Sequence, residues 1–218
     1  MTREEDIRKA VEVLKKGGVI LYPTDTIWGI GCDATNAEAV KRVYEIKQRD
    51  DSKALICLVD SDNRLQRYVR NVPDVAWQLI DSLQQAATVS NGSATSRRGS
   101  ATASDGSPSG PLPKPTTLIL DGAVNLAPNL IAEDGSIALR ITNEPFSKEL
   151  CYRFQKALVS TSANISGEPA AQNYQDIDPR IIEAVDYVCW SRRQEHKPHQ
   201  PSSIIRLRQD GEVTIIRQ

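Results

Sequence analysis

Residues 21–58 read LYPTDTIWGIGCDATNAEAVKRVYEIKQRDDSKALICL, and their pattern decides the fold. The apolar run Val19–Leu21, which follows two glycines, predicts a short buried strand. A turn at Pro23–Thr26 then places two hydroxyls and a carboxylate just beyond that strand. Gly29 and Gly31 follow, at positions where the backbone can approach a ligand closely. The pattern therefore predicts a strand that ends at a polar ligand site.

The second half of the segment predicts a helix and another strand. Residues 35–38 (TNAE) have the form of a capping box, and the residues from Ala39 to Ile46 are apolar at helical spacing. A buried strand, Ala54–Val59, follows. Polar groups gathered at strand ends of an open α/β sheet are the usual form of a small-ligand site. Three cations stand near the end of the predicted helix: Lys47, Arg49 and Lys53.

The rest of the chain continues the alternation of helices and strands. An N-terminal helix is predicted from an apolar stripe, Ile7 to Leu14. Further helices are expected at Asp60–Asn71, Pro73–Leu83, Phe146–Phe154 and Ile181–Ala184. Further strands are expected at Leu118–Leu120, Ser136–Ile141, Ala157–Val159, Tyr187–Cys189, Pro201–Ile205 and Val213–Ile216. The predicted fold class is α/β: a single domain with a twisted, mixed sheet, helices packed on it and a concave ligand-binding face.

Residues 84–113 interrupt this pattern. They are mostly Ala, Ser, Thr, Gly and Pro, with very few large apolar side chains. Such a segment cannot bury enough surface to offset its ordering entropy, so we expect a flexible insert within one domain that spans residues 1–218. Two arginines, Arg97 and Arg98, precede Ser100 in the manner of a kinase site, although a solvated loop is the simpler interpretation.

A second polar cluster follows the strand predicted at Ala157–Val159. Residues 160–164 read STSAN, and Gly167 closes the turn. Hydroxyls and backbone N–H groups in such a turn can hold a phosphate or a carboxylate. Cations and hydroxyls together suit a nucleoside triphosphate, but the sequence contains neither GxxxxGK[ST] nor GxGxxG after a strand. An ATP site would have to be of another type.

Composition narrows the class of protein. The net charge is −1 and charged residues make up 25%, so the sequence gives no electrostatic argument for tight nucleic-acid binding. No apolar run approaches the roughly 20 residues that span a membrane, and the N-terminus lacks a signal-peptide core. The four cysteines have no CxxC spacing, which favours reduced thiols in a cytoplasmic protein. His196 and His199 lie between prolines and are not expected to form a metal pair.

Two separated signatures resemble the threonylcarbamoyl-AMP synthase family of the YrdC type. The first runs from Tyr22–Thr26 through the Gly29 region to KQR at 47–49 and KAL at 53–55, and the second is STSAN at 160–164. The order of the two signatures is that of the family, and the resemblance covers nearly the whole chain apart from the insert. The additional C-terminal domain of longer family members is not expected here.

The resemblance implies a reaction that joins L-threonine, bicarbonate (or carbon dioxide) and ATP into threonylcarbamoyl-AMP and pyrophosphate. It implies a cytoplasmic nucleotidyltransferase with Mg²⁺ on the phosphates but no protein metal ligands, and Lys47 and Arg49 as catalytic cations. The product would pass to a tRNA threonylcarbamoyltransferase complex that modifies adenosine next to the anticodon. The implied threonine-binding residues are Thr26, Arg140, Ser160 and Ser202. The implied nucleotide-binding residues are Lys47, Arg49, Lys53, Ser136, Ser162, Asn164 and Arg217.

One departure keeps two alternatives open. The family's Pro-Gly-Pro-x-Thr turn is split here between residues 109–112 (SGPL) and residues 114–117 (KPTT). The first alternative is a paralogue of the same fold with a different or lost activity. The second is a non-catalytic module that binds tRNA or double-stranded RNA on the concave face, which the near-neutral charge and the absence of an aromatic row disfavour.

Overall fold

The structure is a computed structural model that describes residues 1–49, 55–91, 114–196 and 201–218, without the side chains of residues 87–91. Its helices are α1 (Arg3–Lys15), α2 (Ala37–Lys47), α3 (Asp62–Leu65), α4 (Asp74–Asn91), α5 (Pro145–Phe154) and α6 (Pro179–Ala184). Its strands are β1 (Ile20–Tyr22), β2 (Gly29–Gly31), β3 (Ile56–Val59), β4 (Thr116–Asp121), β5 (Ser136–Ile141), β6 (Leu158–Ser162), β7 (Tyr187–Val188), β8 (Ser203–Leu207) and β9 (Val213–Arg217). Within these ranges no helix has the length and apolar composition needed to cross a bilayer.

All the described strands belong to one mixed sheet, in the order β7-β1-β2-β6-β3-β5-β4-β8-β9. The pairs β1–β7, β3–β5 and β4–β8 are parallel. The pairs β1–β2, β2–β6, β3–β6, β4–β5 and β8–β9 are antiparallel. The predicted α/β class with a mixed sheet is confirmed.

The two faces of the central strands differ in burial. Cys57 pairs with Leu139 on one side and with Val159 on the other, and all three side chains are fully buried. The neighbouring residue Ile56 projects from the opposite face and is only partly buried. α5 packs on the closed face, where the Cys151 thiol lies against the backbone of Leu58. On the opposite face, that of Ile56, the exposure is limited to the end of β3 and β6 at Ile56 and Ser162, since Leu58 and Leu158 are fully buried.

Helix α1 is attached to the sheet edge by a buried carboxylate. Asp6 accepts hydrogen bonds from the Tyr187 hydroxyl at 2.7 Å, the Trp190 backbone N–H at 2.9 Å, and the backbone N–H and hydroxyl of Ser191, both at 2.7 Å. Four donors compensate the desolvation of this charge without a salt bridge among the described residues. The contact fixes the segment that follows β7.

The predicted capping box at residues 35–38 is wrong. The N-cap of α2 is Asn36, whose side chain accepts from the N–H groups of Glu38 and Ala39. The Thr35 hydroxyl instead donates to Asp33 at 2.7 Å. The cap lies one residue later than predicted because the Thr35 hydroxyl is already hydrogen-bonded to Asp33, which leaves Asn36 as the capping residue.

Most predicted elements are shifted by a few residues at their ends, and three differences are larger. Gly29–Gly31, for which no strand was predicted, is a strand because β1 and β6 pair with it on both sides. Only the first part of 60–71 is helical, because the backbone of Tyr68 and Arg70 bonds to residues 122–124 instead. Helix α4 continues past the predicted end at Leu83, since residues 84–87 (QQAA) are good helix formers. Residues 92–113 of the proposed insert lie outside the described residues.

Gly31 has no room for a side chain. A Cβ at this position would lie 2.5 Å from the Val159 carbonyl oxygen and 2.6 Å from Cε1 of the Tyr22 ring. Both neighbours are fully buried, so neither can move away without disturbing the sheet. The glycine therefore lets β2 lie close to β6 and the phenol ring.

We expect Gly31→Ala to destabilise the protein by about 2 kcal/mol or more, because overpacking at a backbone contact forces the strands apart. The control is Gly135→Ala, where φ is +76° and no atom lies within 4 Å of the added Cβ. Its cost should be about 1 kcal/mol, from the left-handed backbone alone. The free energies of unfolding from urea titration measure both values. Equal destabilisation by the two variants would contradict the packing argument.

Candidate active site

Hydroxyl and arginine side chains that the sequence predicts for the site lie on one face of the sheet. β3 lies between β6 and β5, with Ile56 paired to Ser160 and Leu58 paired to Arg140. Residues two apart on a strand, and residues directly paired across strands, project from the same face. Ser162 therefore lies on that face as well. The register brings together side chains from signatures that are far apart in the sequence.

The turn between β1 and β2 lies against Ser160. The Thr24 hydroxyl donates to the Ile27 carbonyl at 2.7 Å and lies 3.1 Å from the Thr26 hydroxyl. The backbone N–H of Thr26 donates to the same Thr24 oxygen. A Cβ at Gly29 would lie 3.2 Å from Cγ2 of Thr24 and 3.3 Å from the Ser160 hydroxyl. The missing side chain at Gly29 thus leaves room for the Thr24 methyl group and the Ser160 hydroxyl.

Arg140 forms a buried ion pair with Asp25 in that turn. Nη2 of the arginine lies 3.2 Å from Oδ1 of the aspartate, and the two side chains are 4% and 12% exposed. The approach lacks hydrogen-bond geometry, so Oδ1 of Asp25 and Nε of Arg140 make no hydrogen bond within the described residues. Burial raises the pKa of the Asp25 carboxyl, and the charge of Arg140 opposes that shift.

Ser202 and Arg217 lie beside Arg140. Ser202 places its hydroxyl 3.2 Å from that of Thr117, which the β4–β5 register puts next to Arg140. Arg217 donates from Nε to the Ser202 carbonyl at 2.8 Å and from Nη2 to its hydroxyl at 3.1 Å. Arg217, which was predicted for the nucleotide, therefore contacts a residue of the predicted threonine set.

Lys47, from the first signature, is hydrogen-bonded to the backbone of the second signature. It ends α2, is 1% exposed, and donates from Nζ to the carbonyls of Ser162 at 2.5 Å and Asn164 at 2.7 Å. Within the described ranges no carboxylate lies within 4.0 Å of this ammonium. Burial, and secondarily the charge of Arg49, lower the pKa of Lys47 to about 8. A lysine has three N–H donors, so one remains for a ligand.

Arg49 stands close to Lys47. Gln48 ends α2 in the left-handed conformation, with φ 49°, and the next N–H, that of Arg49, donates to the Tyr44 carbonyl at 3.0 Å. The turn brings the charge of Arg49 close enough to contribute to the lowered pKa of Lys47. Lys53, the third predicted cation, lies outside the described residues.

Ser136 and Asn164 complete the predicted set. Ile56 of β3 pairs with Ser160 on one side and with Ala138 on the other. Ser136 and Ser162, each two residues away, therefore lie at the same end of their strands, about 10 Å apart across two strand spacings. The Ser136 hydroxyl donates to Asp134 at 2.6 Å. Asn164 donates from Nδ2 to two carbonyls of its own loop, while its buried Oδ1 has no hydrogen-bond partner in the part of the chain that is described.

The site has two halves. One half comprises Thr26, Arg140, Ser160, Ser202 and Arg217, gathered around the Asp25 ion pair. The other comprises Lys47, Arg49, Ser162 and Asn164, with Ser136 farther along the same edge. A guanidinium in one half and an ammonium in the other suit a ligand or ligand pair with two anionic groups.

Sequence reasoning missed the side chain that anchors the β1–β2 turn. Arg192 donates from Nη1 to the Thr24 carbonyl at 2.9 Å, and its guanidinium pairs with Glu144 at 3.2 Å and Glu195 at 2.8 Å. Its backbone is left-handed, with φ 63°, which costs a non-glycine residue about 1 kcal/mol or more. No local pattern could have indicated this contact, because 168 residues separate Arg192 from Thr24.

The described residues offer no protein-held metal site. Among them, no three His, Cys, Asp or Glu side chains lie together as metal ligands. Asp25, the acidic residue of the first signature, pairs with Arg140. All four cysteines are buried free thiols, as predicted, and burial raises the pKa of Cys57 to about 12. The described residues therefore do not fit a resident Mg²⁺ ion.

Comparison with known proteins places this geometry in a family. The family model Sua5–YciO–YrdC, described as "Telomere recombination", matches residues 12–90 and 98–218. A curated relative from Stenotrophomonas maltophilia, named threonylcarbamoyl-AMP synthase, is 33% identical over 184 residues, which cover 84% of this chain and 85% of the relative. A second of the same name, from Xanthomonas euvesicatoria, is 35% identical over 188 residues, with 86% and 87% covered.

A solved structure shares the fold. The crystal structure of P. abyssi Sua5 complexed with L-threonine has a TM-score of 0.71 and 20% identity, and the match covers 95% of this chain. The chain spans about half of that protein, 52% of its length. At this identity the likeness concerns the fold alone.

We expect Arg192→Gln to loosen the β1–β2 turn, because it removes the charged donor to Thr24 and the pairing with Glu144. A hydrogen bond to a charged group is worth about 1.5 kcal/mol or more, so local opening should rise about tenfold or more. Amide hydrogen exchange of residues 24–27 measures it. The control, Arg180→Gln, removes an exposed arginine that pairs with Asp178 and Glu168. Equal exchange rates in both variants would contradict the anchoring role.

Proposed function

The chain belongs to the Sua5–YciO–YrdC family, and we propose that it is a threonylcarbamoyl-AMP synthase that acts in tRNA modification. The reaction is that of a nucleotidyltransferase: L-threonine, bicarbonate (or carbon dioxide) and ATP give threonylcarbamoyl-AMP and pyrophosphate. The observation that carries the proposal is the bond from Lys47 to the loop of the second signature, at Ser162 and Asn164. It joins both family signatures around one buried cation.

The Arg140 half of the site suits the amino acid. A planar guanidinium binds a carboxylate with two hydrogen bonds, and Nε of Arg140 is a buried donor with no hydrogen-bond partner within the described residues. The hydroxyls of Thr26, Ser160 and Ser202 provide donors and acceptors for the remaining polar groups of threonine. The P. abyssi Sua5 complex contains L-threonine in a protein of the same fold, which supports this proposal.

The Lys47 half suits the triphosphate. Lys47 and Arg49 would neutralise the phosphates, and Ser162 and Asn164 would fix them or the nucleoside. We assign Ser136, Lys53 and Arg217 to the nucleotide as well, although Arg217 contacts Ser202 of the Arg140 half. Magnesium would enter on the ATP phosphates, since the described residues do not fit a resident ion.

Positioning and charge neutralisation carry the adenylyl transfer. The threonine amine adds to carbon dioxide, and an oxygen of the resulting carbamate attacks the α-phosphate in line while pyrophosphate leaves. The two halves hold the amino acid and the nucleotide on one sheet face, so the reaction becomes effectively intramolecular. Lys47 and Arg49 stabilise the charge that builds up on the departing pyrophosphate.

Two further proposals concern the setting of the reaction. The labile product would pass to a tRNA threonylcarbamoyltransferase complex in the cytoplasm, and the chain would bind tRNA or double-stranded RNA weakly. The chain would form one domain over residues 1–218, with the serine- and glycine-rich segment near residues 84–113 as an insert.

We expect purified protein to release pyrophosphate from ATP only when threonine and bicarbonate are both present, and weakly when serine replaces threonine. The Arg49→Ala variant should lose about 100-fold or more of this activity while staying folded, because it removes charge stabilisation of the transition state. The control, Arg8→Ala, removes an arginine that is 62% exposed on α1. Release without threonine, or none from folded protein, would contradict the proposed function. Unchanged turnover in Arg49→Ala would remove that residue from the mechanism.

Nucleotide binding should take up a proton at Lys47. The pKa of about 8 leaves part of the lysine neutral at pH 8.5, and a phosphate beside it restores the charged form. Calorimetric binding of a non-hydrolysable ATP analogue, in buffers of different ionisation enthalpy, should show uptake at pH 8.5 that disappears near pH 6.5. Lys47→Met should abolish it, and the control Lys41→Met, at an exposed lysine of α2, should not. Equal uptake at the two pH values would contradict the assignment.

A further inference from the structure

The Asp25–Arg140 pair has a buried acceptor and a buried donor that the described residues do not use. Oδ1 of Asp25 and Nε of Arg140 are both buried and make no hydrogen bond within the described ranges. Their one mutual contact is the 3.2 Å approach between Oδ1 and Nη2. Buried polar atoms without partners are rare in folded proteins, and each calls for an explanation. An acceptor and a donor without partners in one ion pair indicate a ligand that carries both a positive and a negative group.

An α-amino acid satisfies both atoms at once. Its carboxylate would lie on the Arg140 guanidinium, and its ammonium, attached to the same Cα, would face the Asp25 carboxylate. This inference rests on the proposed function, which makes threonine the ligand. It also defines a chemical requirement: an ammonium has no lone pair, so threonine must lose a proton before its nitrogen can form a bond to carbon dioxide.

We propose that Asp25 is the catalytic base that accepts this proton. The threonine ammonium gives one proton to the carboxylate, and the nitrogen lone pair then forms the N–C bond to carbon dioxide. The C–O π pair of carbon dioxide moves onto oxygen, and the adduct loses its second N–H proton to water, which leaves the carbamate. Asp25 returns its own proton to solvent when the product leaves, through the part of its side chain that remains exposed.

The surroundings of Asp25 suit this role. Burial raises the pKa of the carboxyl above its ordinary value, and Glu144 adds to the shift. Arg140 and Arg192 oppose it, while the Tyr22 phenol beside the turn has a strongly raised pKa and stays neutral. A carboxylate whose pKa is moderately raised is a stronger base, yet it remains ionised near neutral pH.

The partial reactions separate a base from a residue that only orients Arg140. Carbamate formation needs the base. The reverse adenylyl transfer, from threonylcarbamoyl-AMP and pyrophosphate to ATP and threonine carbamate, involves no proton on the amine. An orienting residue would be needed equally in both directions, since Arg140 holds the same carboxylate in each.

We expect Asp25→Asn to reduce threonine-dependent pyrophosphate release about 100-fold or more, and to retain ATP formation in the reverse direction within about threefold. At a fixed concentration of dissolved carbon dioxide, its forward kcat/KM for threonine should rise about tenfold per pH unit below the pKa of the threonine amine, because only the neutral fraction reacts. The wild type should be nearly flat there and should lose activity only at lower pH, where Asp25 becomes protonated. The control Glu45→Gln, at a residue 61% exposed on α2, should match the wild type in both directions.

Three results would overturn the proposal: unchanged forward release in Asp25→Asn, equal loss in both directions, or a pH profile parallel to that of the wild type. If Asp25→Asn does not fold, Asp25→Glu decides. It keeps a base and should retain weak forward activity with a flat profile, and the steep profile would count against the proposal. An inactive wild type would instead refute the proposed function, so the two failures are distinguishable.

Discussion

A buried ammonium without a carboxylate partner in the described residues is the constraint on which this site depends. Lys47 closes α2 and holds two carbonyls of the loop after β6, so one side chain fixes the relative position of both family signatures. Burying that charge lowers the pKa of Lys47 to about 8. With a reference value near 10.5, stability should rise with pH between about 8 and 10.5, where the unfolded chain binds the extra proton. A phosphate that pairs with the ammonium would offset the desolvation cost of burying this charge.

Two glycines of β2 let neighbouring groups of the candidate site pack closely. Gly29 and Gly31 lie on β2 beside the hydroxyls of β6, and Gly31 has the Tyr22 ring where a Cβ would stand. On the opposite face the same strands carry fully buried apolar residues. Alternation along these strands thus places one set of core residues on one face, and the hydroxyls and Arg140 of the candidate site on the other. The Asp25–Arg140 pair belongs to that face and keeps its charges because each compensates the other.

Much of this arrangement could be predicted from the sequence, since periodicity reports burial locally. The span of β5, residues 136–141, was predicted with the bounds that the structure has, and α5 differs by one residue. The strand at residues 29–31 was not predicted, because glycine has a weak strand propensity that pairing on both sides overrides. The ion pair of Asp25 and the anchoring by Arg192 could not be predicted, since both depend on the packing of distant segments. The meeting of Lys47 with residues 162 and 164 followed only from the family resemblance.

The most direct test of the account is a crystal structure of the protein with L-threonine and a non-hydrolysable ATP analogue. We expect a phosphate oxygen within hydrogen-bond distance of the Lys47 ammonium, the threonine carboxylate on the Arg140 guanidinium, and its amine facing Asp25. We also expect the contacts of Lys47 with the carbonyls of Ser162 and Asn164 to persist, since the third N–H donor is the one that binds phosphate. Nucleotide bound on another surface, with Lys47 and Arg140 unchanged, would contradict the account.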